Sequence, residues 1–152
     1  MKAILEVFTE GIELPWRDVD KGWISMLAEN ICGILAIEDV SLSLIMTNDE
    51  CIREINREFR KKDSPTDVLS FAYMDDDDGF PHEEGGIDEL GDIYISLEKA
   101  AEQSLEYGVT LKDELKRLLI HGMLHLIGYD HEKSVEEEDI MRAKEEEIFA
   151  LV

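Results

Sequence analysis

A chain of 152 residues has the size of one domain, and burial of roughly two thirds of its unfolded surface lets it fold without a disulfide or metal staple. Aspartate and glutamate number 37 against 15 lysines and arginines, a net charge of −22 that argues against broad affinity for nucleic acid. The N-terminal stretch MKAILEVFTEGIELPW has neither the long apolar run nor the small-residue site of a signal peptide, and no stretch is apolar enough to span a bilayer, so a cytoplasmic location is expected. Cys32 and Cys51 make no metal-type pair and no disulfide framework, and are expected as core or partly buried thiols.

In chain order, residues 2–7 predict a first strand. From about Arg17 to Cys32, Val19, Trp23, Leu27 and Ile31 recur every four residues, a helical stripe that Gly33 can end. Residues 40–46 alternate Val40, Leu42, Leu44 and Met46, the period of a half-buried strand. Thr47 and Glu50 are spaced as a capping box for a helix carrying Ile52, Ile55 and Phe59. That helix bears the basic run Arg53, Arg57, Arg60, Lys61 and Lys62, which with Glu54 and Glu58 interleaved also suits a solvated face. Ser64-Pro65 breaks the chain before a strand at 67–73. The acidic segment 75–90, with His82 as a bystander, is expected as a loop, followed by a strand at 91–96 and a helix from Leu97 to about Tyr107. Thr110 and Asp113 open a helix that is apolar over a broad face through Ile127, so it belongs in the middle of the fold. Ser134 and Glu137 open a last helix to about Phe149. Strands interleaved with helices predict one α/β domain over 1–152, with a small mixed sheet of about four strands.

The segment HGMLHLIGYDH, residues 121–131, holds three of the four histidines. Its spacing is that of the zinc proteases written H-E-x-x-H-x-x-G-x-x-H, with Gly122 in place of the glutamate that serves there as general base. His121 and His125 are one helical turn apart and leave the same face, with Cβ atoms about 6 Å apart. Position 131 would be rotated roughly 80° and displaced ~15 Å along a continued helix, so the chain must turn back. Gly128 supplies that turn. Three histidines are therefore expected to hold one metal ion. A structural zinc is usually closed by four ligands and rich in cysteine, and neither Cys51 nor Asp130 has a spacing that demands ligation. Three histidines plus water fit an open catalytic zinc.

With the upstream NREFRKKDSPTDVLSF at 56–71 and GDIYIS at 91–96, these residues resemble the YbeY family of bacterial ribosomal-RNA maturation endoribonucleases. The three motifs come in that family's order on a chain of its usual size, so the resemblance covers essentially the whole sequence. The resemblance implies zinc on His121, His125 and His131, and a role in activity for Arg60. It also implies cleavage of single-stranded RNA, maturation of small-subunit ribosomal RNA and a part in ribosome quality control. The small ribosomal subunit and its assembly factors are possible partners, and no DNA is expected. The acidic excess and the aspartate run 75–78 are this chain's own departures from the family pattern. An arginine beside a metal suits phosphate, whose transition state gathers charge that a guanidinium can clamp in two places. What replaces the missing base is left open between the metal's own hydroxide, Asp130 and Asp67; for each aspartate a cap or turn role is the commoner one. The alternatives are a non-catalytic ribosome-assembly factor with a structural zinc, and a metalloprotease, which Gly122 and the lack of a turn methionine disfavour; Met141 falls inside a predicted helix.

Overall fold

The computed structural model describes residues 2–73, 88–130 and 134–152. His82, His131 and most of the acidic segment 75–92 lie outside the described residues. The elements are β1 (Ile4–Glu10), α1 (Lys21–Ile34), β2 (Val40–Thr47), α2 (Asp49–Arg60), β3 (Val68–Ala72), β4 (Asp88–Ser96), α3 (Leu97–Tyr107), α4 (Leu111–Leu126) and α5 (Val135–Leu151). The strands form one sheet in the order β1-β2-β4-β3. β1, β2 and β4 run parallel, and β3 pairs antiparallel with β4 as an edge strand. The expected mixed four-stranded sheet in an α/β domain is thus present. No helix among the described residues is long and apolar enough to cross a membrane.

Alternation along the strands sorts the side chains into two layers. On one face Val7, Leu42, Leu44, Met46, Ile93 and Ile95 join the main core with Ile24, Leu27 and Ile31 of α1. Helix α4 runs through the middle of that core, which is why it is apolar over a broad face: Leu115, Leu118, Leu119, Ile120, Met123 and Leu124 are all buried. On the other face Ile45 and Leu69 are buried together with Ile52 of α2, outside the main cluster. Helix α2 is pinned at both ends. The Ser96 hydroxyl donates to Asp49 (2.7 Å) and the Asp49 amide to Glu98 (2.9 Å), while Asn56 donates to the Ser64 carbonyl (2.9 Å) beyond its C terminus.

Several boundaries differ from the sequence expectations. β1 spans 4–10 instead of 2–7, because its register continues alongside β2 to Glu10↔Thr47. α1 begins at Lys21 under an Asp20 cap that accepts from the Trp23 amide (2.8 Å), and Gly33 lies inside its last turn. α2 is capped by Asn48, whose side chain accepts from the Cys51 amide; the Thr47 hydroxyl instead donates to the Glu10 carbonyl across the sheet (2.8 Å). Residues 88–90, expected in the loop, belong to β4, with Asp88 and Glu89 opposite Val40 and Ser41. The caps at Thr110 and Ser134 are as the sequence predicts, each accepting from the amide three residues on.

Candidate functional site

His121 and His125 project side by side from the last turns of α4. Their ring centroids are 4.6 Å apart at 79°, and their Nε2 atoms approach to 3.1 Å. Two imidazoles on one tetrahedral zinc with ~2.0–2.1 Å bonds place their nitrogens ~3.3 Å apart, a spacing that the pair could offer to one ion. Glu145 of α5 fixes the first ring: its Oε1 accepts from His121 Nδ1 at 2.8 Å. With its proton held on Nδ1 by the carboxylate, His121 turns the Nε2 lone pair toward the shared position. The His121 ring and the Glu145 carboxylate behind it are three-quarters withdrawn from solvent, the two side chains being 24% and 22% exposed.

Just past the histidines the helix stops in a reverse turn. Gly128 has φ +105°, its amide donates to the His125 carbonyl (3.1 Å), and the Tyr129 amide donates to the Leu124 carbonyl (3.0 Å). These are the paired bonds of a glycine-terminated helix end, and they turn the chain back as the spacing of the motif requires. The expected third histidine, His131, lies outside the described residues. The donors described, two convergent imidazole nitrogens with one second nitrogen held by a carboxylate, fit a zinc ion by type and by spacing.

Gly122, between the two histidines, points into the sheet. A Cβ there would lie 3.1 Å from Ile93 Cγ2 and 3.1 Å from Ser70 Oγ. The Ser70 hydroxyl donates to the Gly122 carbonyl at 3.3 Å. The glycine therefore lets α4 approach β3 and β4 closely, and a glutamate in this position would be driven into the sheet. By the helical rotation of about 100° per residue, His121 and His125 leave α4 to one side of this contact, roughly 100° and 60° from it.

Ser70 is also where Arg60 arrives. Its Nη2 donates to the Ser70 carbonyl at 2.8 Å, and its guanidinium lies 5.4 Å from the Phe71 ring centre. Arg60 thus reaches from α2 to the edge strand at the residue whose hydroxyl contacts α4 between the histidines. The fold brings the basic helix and the histidine helix onto one short stretch of β3, although sixty residues of sequence separate them.

The other sequence candidates go elsewhere. Asp67 accepts from the Val68 amide (2.8 Å) and from Gln103 (3.2 Å), and Arg117 lies 3.7 Å from it. Gln103 and Arg117 also donate to Glu114, which is 1% exposed. This network ties the start of β3 to α3 and α4, so Asp67 has the structural role. Cys51 sits at the N-terminal end of α2 near Gly11, away from α4. Cys32 is buried, and burial followed by the charge of Glu29 pushes its thiol up to about 11. Sequence reasoning missed Glu145, although a signal existed. Met141, Glu145 and Ile148 follow the i, i+4, i+7 spacing, and the two apolar members are buried, so position 145 lies on the inward stripe of α5.

Fold and site together define a class: a mixed-sheet α/β domain whose central helix presents a histidine pair beside an edge strand braced by arginine. The model of the family described as Endoribonuclease YbeY matches residues 10–152. The chain is 45% identical to Endoribonuclease YbeY of Aquifex aeolicus over 134 residues, covering 88% of this chain and 85% of that protein. It is 42% identical to the Listeria innocua protein of the same name over 151 residues, covering 95% and 92%. The solution structure of TM1509 from Thermotoga maritima is similar with a TM-score of 0.63 and 30% identity, over 96% of this chain and 87% of that one. The chain belongs to the YbeY family.

Proposed function

We propose that this chain is a zinc-dependent, single-strand-specific endoribonuclease that acts in the cytoplasm in small-subunit ribosomal RNA maturation and ribosome quality control. The observation that carries the metal assignment is the convergence of His121 and His125 to 3.1 Å with Glu145 behind the first ring. The name Endoribonuclease YbeY, borne by relatives 42–45% identical over most of the chain, supports the reaction class. His121, His125 and His131 would hold the ion. When bound, zinc supplies a Lewis acid and lowers the pKa of water to about 7.

The chain's own groups do the rest. Arg60 spends one of the five N–H donors of a guanidinium on Ser70, which fixes its plane and leaves the others for phosphate oxygens. A donor held this way needs no reorganisation as charge grows on the scissile phosphate. Glu145 keeps His121 in one tautomer and one orientation. Gly122 keeps α4 close enough to β3 for Arg60 and the histidines to serve one substrate. The same packing weighs against a protease, because the position that would carry the protease's glutamate faces Ile93 and Ser70.

The test is metal analysis of purified protein together with cleavage of single-stranded and duplex RNA. One zinc per chain and metal-dependent cleavage of the single strand are expected, both lost in His125→Ala. Stoichiometric zinc without cleavage of any RNA would leave the non-catalytic assembly role in its place.

A further inference from the structure

The face of the sheet turned away from α4 carries aromatic rings that the chemistry so far does not use. In β3, Leu69, Phe71 and Tyr73 alternate with Ser70, so they lie opposite the α4 contact; in β4, Tyr94 and Asp92 share their face by register. Phe71 meets Tyr94 edge-on at 5.9 Å and Phe59 of α2 edge-on at 5.5 Å. Phe59 is 62% exposed although a phenyl ring gains most by burial. Arg60, next in sequence, covers the Phe71 ring and reaches round to Ser70. The row of rings therefore ends where the candidate active site begins.

Charge selects the occupant. Arg57, Lys61 and Lys62 lie exposed at the C-terminal end of α2, beside the outermost ring, in a chain of net charge −22. At the other end of the row Asp92 accepts from the Tyr73 hydroxyl, and burial with the charges of Asp92 and Glu10 raises the Tyr94 hydroxyl above its ordinary value. A polyanion is thus drawn to the Phe59 end and held off the Asp92 end. Rings flanked by cations on one side suit a single strand, whose unpaired bases stack while its phosphates track the cations. A duplex keeps its bases inside and cannot use the rings.

We propose that the exposed ring of Phe59, backed edge-on by Phe71, is the stacking platform for bases of the RNA segment adjoining the scissile phosphate, with Arg57, Lys61 and Lys62 along its backbone. The proposal rests on the endoribonuclease function proposed above and gives its single-strand preference a structural cause. Phe59 is the outer stacking surface, and Arg60 stands at the crossing from the platform to the histidines.

The experiment uses full-length zinc-loaded protein and a fluorophore-labelled ten-nucleotide single-stranded RNA, read by stopped-flow anisotropy before cleavage, with duplex RNA as second probe. Phe59→Ala is expected to weaken single-strand binding at least about fivefold, the lower bound for losing one stacked base. Phe59→Trp should restore it, and Phe59→Leu, which keeps the apolar bulk, should not. Duplex affinity and the slope of log affinity against log salt should stay at wild-type values, since a phenyl ring neutralises no phosphate. Because Phe59 is exposed, its variants should melt like wild type. Unchanged single-strand affinity in Phe59→Ala, with wild type binding and cleaving normally, would overturn the platform alone and assign the exposed ring to a protein contact. Equal losses on single strand and duplex would also overturn it. A wild-type protein that neither binds nor cleaves the single strand would remove both the platform and the function on which it rests.

Discussion

Replacing Gly122 by glutamate restores the protease spelling H-E-x-x-H, and the packing dictates a loss of stability in place of a new activity. A Cβ at 3.1 Å from Ile93 Cγ2 and from Ser70 Oγ is tighter than ordinary contact, so even Gly122→Ala must shift α4 or its neighbours. Overpacking by a methyl group costs about 1–3 kcal/mol, and alanine regains about 1 kcal/mol in helix propensity, leaving a net loss of about 1 kcal/mol. Glutamate adds further atoms in the same place, and its carboxylate enters a contact lined by Ile93, where desolvation costs several kcal/mol more. The sum is about 4 kcal/mol or more against the 5–15 kcal/mol typical of a domain. At about 2–4 °C per kcal/mol for this size, Tm should fall by roughly 10 °C or more. Urea unfolding monitored by circular dichroism measures this as a lower midpoint at constant slope. Ser70→Ala should cost less in the Gly122→Ala background than alone, because it removes one of the two colliding atoms. A Gly122→Glu protein with the wild-type midpoint would refute the packing argument, and metal-dependent cleavage of a peptide library by that protein would refute the assignment of chemistry as well.

Glu145→Ala should weaken zinc affinity about 10–100-fold in a chelator competition, and Glu145→Gln, which keeps an acceptor oxygen, should recover part of it; equal affinity in all three proteins would remove Glu145 from the site. Arg60→Ala should retain zinc and nearly all stability, since the lost bond to Ser70 is exposed, while single-turnover cleavage drops about 10²–10³-fold. Arg60→Lys should stay impaired, because an ammonium lacks the planar fork; wild-type rates in either variant would place this arginine outside the chemistry. With its thiol pushed up to about 11, Cys32 should resist iodoacetamide at pH 9 in the folded protein and react on unfolding, mass spectrometry of the digest reading the site. Native alkylation of Cys32 as fast as that of an unfolded control would contradict its burial.

Much of the fold was legible because local pattern and tertiary placement agree. Val40, Leu42, Leu44 and Met46 alternate and lie in β2, and the caps at Thr110 and Ser134 stand where their spacing puts them. The failures share one cause, a distant partner that outbids the local signal. Thr47 had the spacing of a cap, but the Glu10 carbonyl, 37 residues away, takes its hydroxyl and Asn48 caps instead. Asp88 and Glu89 look like loop by composition, yet pairing with β2 draws them into a strand. At the site, the His121–His125 pair was legible because one helical turn fixes it. That Gly122 serves packing could be learned only from Ile93 and Ser70, and that Arg60 reaches the strand residue that also contacts α4 only from β3. Glu145 was hidden by its own composition, one glutamate among many on α5.

Under the proposed function, the acidity that first argued against nucleic acid instead limits where RNA would bind. Five of the fifteen lysines and arginines fall within residues 53–62. Arg53 is spent on Asp63 (2.9 Å), whose carboxyl it holds below the ordinary range, so the cations left for a ligand crowd the C-terminal end of α2 around Arg60. Screening over about 8 Å at physiological salt confines their attraction to that neighbourhood, while carboxylates elsewhere repel. An evenly basic surface would hold RNA in many orientations, most of them away from the histidines. Here the cationic end of α2 lies beside the edge strand that meets α4, and the rings of Phe59 and Phe71 lie against it. For the proposed endoribonuclease, weak overall attraction with approach favoured at that end would give up affinity for orientation, which is what an enzyme acting at one bond of a long polyanion requires.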